Sequence, residues 1–114
     1  MAIPDSIRDE LIRRARDKRF RQTVSKSTEP CRWHPYKVLH PAFGFAFTDV
    51  GAWNFIVDLL CAGHDVTTIV MEKPPGQIGY VLKADGYTGC PKIYIKLTLS
   101  NRFINGRSFH DCEY

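Results

Sequence analysis

A chain of 114 residues, 44% hydrophobic and 25% charged, has room for one domain around one modest core. No apolar run approaches the roughly 18 to 20 residues of a membrane span, and Met1-Ala2-Ile3-Pro4-Asp5 leads into charge rather than a leader pattern, so a cytoplasmic protein with no membrane partner is expected. The net charge of +4 is uneven: residues 1–26 hold Arg8, Arg13, Arg14, Arg16, Lys18, Arg19, Arg21 and Lys26 against Asp5, Asp9, Glu10 and Asp17, while residues 27–114 balance.

Such a basic segment suits RNA, DNA or an acidic partner, and it equally suits a solvated helix face. Cys31, Cys61, Cys90 and Cys112 form no CxxC pair, so zinc has no local signature and no metal or cofactor is expected. Cys61 falls inside an apolar helical pattern and reads as core.

Pro4-Asp5-Ser6 opens a helix in which Asp5 or Ser6 can accept from first-turn amides. Ile7, Leu11, Ile12 and Ala15 give it a narrow apolar stripe, and the charge pattern carries it to about residue 20 with its arginines outward. Residues 1–26 are taken as the basic helical segment and 27–42 as an irregular linker. The whole stretch 21–36, through Trp33-His34-Pro35, is polar and broken. Tyr36–His40 is a short extended segment closed by Pro41. His34 and His40 each precede proline and read as loop residues.

The core unit is expected over residues 43–114. Phe43-Gly44-Phe45-Ala46-Phe47 leads to a second helix with Thr48 as N-cap and Asp49 just inside. Trp53, Ile56, Val57 and Leu60 share its apolar face, and Gly63 is placed to end it. Four strand candidates follow: Val66–Met71, Ile78–Ala84, and two more over 92–100 and 104–110. Short links between them mean antiparallel neighbours. The predicted architecture is α+β, with two helices on one face of a four-stranded, mainly antiparallel sheet.

The 92–100 strand alternates strictly. Ile93, Ile95, Leu97 and Leu99 point one way, and Tyr94, Lys96, Thr98 and Ser100 the other. A two-residue loop, at Asn101-Arg102 or Asn105-Gly106, would put Arg107 and Phe109 beside Tyr94 and Lys96. An odd-length loop, or a bulge at Gly106, would instead bury Phe109 with the isoleucines and bring Ser108 and His110 to Tyr94 and Lys96. Hydrophobicity favours the second arrangement.

A face of Tyr, Lys, Arg and His without a carboxylate suits an anion. RNA cleavage needs a base for the 2′-hydroxyl, an acid for the leaving 5′-oxygen and cations for the phosphorane. His110 can be acid or base, Tyr94 can donate or relay a proton, and Lys96 and Arg107 can hold phosphate. Tyr80 and Tyr87 can stack on bases, with Lys83 and Ser108 as further RNA contacts. The same face could also be a solvated, basic sheet surface. No Gly-rich phosphate loop, nucleophile elbow or carboxylate pair is visible.

Ile93-Tyr94-Ile95-Lys96-Leu97 followed by Gly106-Arg107-Ser108-Phe109-His110 resembles the C-terminal strands of MqsR-type toxins of bacterial toxin–antitoxin systems, where a Val-Tyr-Leu-Lys-Ile strand precedes one containing Ser-Phe-Lys. The resemblance covers about residues 78–111. It implies a RelE-like fold and a metal-independent mRNA endonuclease, acting on free or ribosome-bound RNA and held inactive by a cognate antitoxin. By this likeness Tyr94 and Lys96 take the strand Tyr and Lys positions, and Ser108-Phe109 the final Ser-Phe. His110 stands where the family has lysine, a departure at the acid–base position. The other class of reading is a non-catalytic protein that holds RNA or a protein through this face or through the basic N-terminal helix.

Overall fold

The computed structural model describes residues 3–23, 32–71 and 75–112. Helix α1 is Asp5–Arg16 and stops short of residue 20. Its apolar stripe ends at Ala15, and beyond it the Asp17 carboxylate accepts from the Arg19 amide at 3.0 Å, a local bond that competes with helix. No side chain caps the start. The carbonyl of Pro4 accepts the Ile7 and Arg8 amides instead. Leu11 and Ala15 are buried, with Ile7 and Ile12 packed at the margin of the core.

The arginines of α1 do not all point outward. Arg8 donates to the carbonyls of Leu60 at 3.0 Å and His64 at 2.8 Å, and Arg14 to that of Phe103 at 3.0 Å. Arg13 and Arg14 also pair with Glu10, and Arg19 with Asp17. A helix whose apolar stripe is narrow gains its docking from such bonds to open carbonyls.

A 3₁₀ turn, Pro35–Lys37, replaces the start of the expected extended segment, and the chain then doubles back through a bridge between Leu39 and Ala46. Helix α2 is Asp49–Cys61. Thr48 caps it, its hydroxyl accepting from the Gly51 amide at 2.9 Å. Ala52, Trp53, Ile56 and Leu60 form its buried face. Gly63, at φ 79°, ends it in a Schellman arrangement: the Gly63 amide reaches the Leu60 carbonyl and the His64 amide the Leu59 carbonyl. Cys61, expected in the core, lies on the exposed side of this last turn.

The sheet contains β1 (Arg21–Thr23), β2 (Arg32–Trp33), β3 (Thr67–Val70), β4 (Ile78–Ala84), β5 (Ile93–Ser100) and β6 (Phe103–Asp111). Strands β3 to β6 form the expected antiparallel meander. The order is β1-β6-β5-β4-β3, with β2 also beside β6, so the sheet is mixed and larger than four strands. The end of the expected basic helical segment supplies β1 and the expected linker supplies β2, each parallel to β6; residues 24–31 between them lie outside the described residues. The reason is β6 itself: nine residues long, its outer edge would otherwise leave amides and carbonyls unpaired.

Trp33 is the part of the expected linker that matters most. It is 8% exposed, packs on Trp53 at 5.2 Å and Phe109 at 5.5 Å, and donates its indole N–H to Asp49 at 2.8 Å. It sits over Gly106, where a Cβ would fall 2.5 Å from the indole ring. Both helices cover the sheet face that carries Leu82, Ile93, Ile95, Leu97, Ile104 and Phe109. Among the described residues, no helix is long and apolar enough to cross a membrane.

Candidate functional site

The β5–β6 hairpin turns at Asn101-Arg102, with Asn101 at φ 50°, and pairs Ser100 with Phe103 through to Leu97 with Gly106. The register then shifts by one residue between Lys96 and Leu97, so that Lys96 faces Ser108, Ile95 faces Phe109 and Tyr94 faces His110. Arg107 is the extra residue. A side-chain period of two means that this single insertion moves every later residue of β6 to the opposite face. Phe109 is driven into the core, fully buried, and His110 comes to the face away from the helices.

There His110 and Tyr94 stack, with ring centroids 5.3 Å apart and planes 21° from parallel. Lys83 of β4 lies on the other side of Tyr94, so one row across three strands reads Lys83, Tyr94, His110. The next row is Val81, Lys96, Ser108. The Nδ1 atom of His110 is 2.7 Å from the Asp111 carbonyl. A carbonyl only accepts, so Nδ1 bears the proton and the neutral ring keeps its lone pair on Nε2. Among the described residues Nε2 makes no hydrogen bond.

Not all of the expected site is accessible. Arg107 is 5% and Ser108 4% exposed, and Thr98, Asn105 and Val81 are buried as well. Asn105 uses its amide on the hydroxyls of Thr98 at 3.3 Å and Ser100 at 2.9 Å. The accessible part of this face is Lys83, Tyr94, Lys96 and His110.

Two other expected contacts lie elsewhere. Tyr80 pairs with Leu97 on the helix-covered face and belongs to the core, because β4 alternates with Leu82 and Ala84 on the same side. A base cannot stack on it there. Tyr87 is exposed in the β4–β5 loop, and its ring packs over Gly44, within 2.7 Å of where a Cβ would stand.

His64 is the residue that sequence reasoning missed. It follows the glycine that ends α2, and its Nε2 lies 2.8 Å from the Lys83 carbonyl, where β4 has run past the end of β3. It lines an open groove of about 760 Å³ with Asp65, Thr67, Lys83, Lys92 and Tyr94. Nothing in residues 62–66 marks a site; only the helix stop at Gly63 indicates that His64 leaves the helix near a strand end. Asp65 also places one carboxylate in a region expected to have none. Among the described residues, no three His, Cys, Asp or Glu side chains are grouped as metal ligands would be.

Scans against protein-family models, curated proteins and solved structures found no match to this chain. The site therefore stands on its own geometry.

Proposed function

We propose that this protein is an endoribonuclease that cuts RNA by 2′-hydroxyl attack, using His110, Tyr94, Lys96 and Lys83. The observation that carries the reading is the bulge at Arg107. It brings a histidine with an available Nε2 onto the ring of Tyr94, whose other neighbours on this accessible face are Lys83 and Lys96.

Nε2 of His110 takes the 2′-hydroxyl proton. The 2′-oxygen attacks phosphorus, the bond to the 5′-oxygen breaks, and a 2′,3′-cyclic phosphate and a 5′-hydroxyl result. Tyr94 holds the imidazole in plane by stacking and supplies or relays the proton to the leaving oxygen. Lys96 and Lys83 neutralise the phosphorane. At a strand spacing of about 4.8 Å, His64 lies roughly 14 Å across the sheet from His110. That is too far to share one phosphate, so His64 and Lys92 act along the groove on neighbouring nucleotides. The likeness of Ile93–Leu97 and Gly106–His110 to MqsR-type toxins supports the same chemistry and adds an antitoxin as inhibitor.

A second reading, RNA binding without cleavage, draws on one finding: with Arg107 and Ser108 buried, two expected phosphate donors are withdrawn from the surface. A single experiment separates the two. Mixed-sequence RNA is incubated with the protein in EDTA, alone and with translating ribosomes. We expect discrete cuts ending in cyclic phosphate, slowed about 10²- to 10⁴-fold by His110→Ala, with RNA affinity retained. RNA that is bound but never cut in either setting, or cuts that survive His110→Ala, would refute the nuclease.

A further inference from the structure

We infer that a second surface, made by the 38–47 hairpin and α2, receives a basic side chain of a protein partner, with the cation lying against aromatic rings and pairing with Asp58. The hairpin gathers rings around His40: Phe43 at 4.5 Å, Phe47 at 4.9 Å and, from α2, Phe55 at 5.5 Å. Phe45 stacks on Phe43 at 5.5 Å with planes 9° apart. Phe43 and Phe45 are 65% and 64% exposed, so two neighbouring phenylalanines of a short turn face water together. Single exposed apolar residues are ordinary, whereas contiguous ones mark contact surfaces.

Nδ1 of His40 accepts the Ala42 amide at 3.0 Å and so holds no proton, leaving the ring as a further aromatic wall. The rings enclose a hollow of about 310 Å³, with Asn54 and Asp58 at its rim one helical turn apart. That volume is small for a cofactor and ample for one long side chain.

The charge of the region selects the ligand. Residues 38–71 contain Asp49, Asp58 and Asp65 and no Lys or Arg, although the whole chain carries +4. Asp49 is already engaged by the Trp33 indole, whereas Asp58 makes no ion pair among the described residues. Ring faces carry negative charge, so an aromatic hollow with a carboxylate at its mouth attracts a cation, and a flat guanidinium best of all. The rest of this basic molecule repels such a ligand. The surface is independent of the His110 row, which lies on the opposite side of the sheet from α2.

The test uses the intact protein and a fluorescent hexapeptide of alternating glycine and arginine, followed by anisotropy. Saturable binding is expected, weakened roughly tenfold by the Phe43→Ala/Phe45→Ala double variant and again by Asp58→Asn. His110→Ala should leave it unchanged. These side chains are exposed, and circular dichroism verifies that each variant is folded. The same peptide with citrulline in place of arginine should not bind. Equal binding of the citrulline peptide, or binding unaffected by both variants, would overturn the proposal. So would no binding of the arginine peptide, including a result in which tetramethylammonium alone binds.

Discussion

Glu10 illustrates how individual charges serve the fold before any partner. Hydrogen bonds from Arg13 first, and Arg14 next, hold its carboxyl below the usual carboxylate range. Asp17 is pulled further, to about 2, by its bonds from Arg19. A depressed carboxyl stabilises the folded state above its unfolded pKa and loses that contribution as pH falls through the folded one. For Glu10 the contribution is therefore full above about 4.5 and fades below it. Glu10→Gln should lower the thermal midpoint slightly at pH 7, by the equivalent of about 0.5 kcal/mol or less for a partly exposed pair. The gap from wild type should close on acidification below pH 4.5. Melting curves by circular dichroism at pH 7 and pH 3 check this; a gap that widens in acid would contradict the assignment. The same residue-scale logic applies to His110, whose proton position follows from one contact to a carbonyl.

Strand β6 shows how one element can set a site. Gly106 lies opposite Leu97 on the core face and lets Trp33 lie flat on the strand, and the next residue is the bulge. A methyl there meets three ring atoms of Trp33 at 2.5 to 2.8 Å. Gly106→Ala should cost about 1–3 kcal/mol, the range for overpacked cores, and shift the tryptophan emission. Urea unfolding followed by fluorescence measures both; an unchanged midpoint would mean that Trp33 is not seated over β6. Should the variant instead restore a regular register, His110 would turn inward, and the RNA cuts proposed above would be lost with it.

At the scale of the molecule, α1 is tied to α2 and to β6 through Arg8 and Arg14. Much of the N-terminal charge is thus directed at carbonyls and acids of the same chain. Arg8→Met keeps the apolar stem and removes the donors at the end of α2. It should destabilise the protein by about 1–3 kcal/mol while leaving RNA affinity unaltered. Chemical denaturation and RNA titration together decide the matter: lost affinity at unchanged stability would place Arg8 on an RNA surface instead. The molecule also divides its charge, with lysines on one sheet face and an acidic, aromatic surface by α2 on the other side.

Periodicity and local chemistry made much of the fold legible in the chain itself. The stripe of α1, the Thr48 cap, the Gly63 stop and the alternation of Ile93–Ser100 are local properties, carried by neighbours three, four or two positions apart. The α+β class and the antiparallel meander follow from them. What the sequence could offer for His110 was two registers and a preference for the one that buries Phe109. Pairing with β5 realised that one, through an extra residue at Arg107, next to the Gly106 that the sequence offered for a bulge. Tyr80 shows the same limit from the other side: its alternation with Leu82 and Ala84 was visible, but which face the helices would cover was not. Trp33 and His64 were illegible for a further reason. Each is defined by a long-range contact, Trp33 with Gly106 and His64 with Lys83, and only tertiary structure sets contacts between residues far apart in the chain.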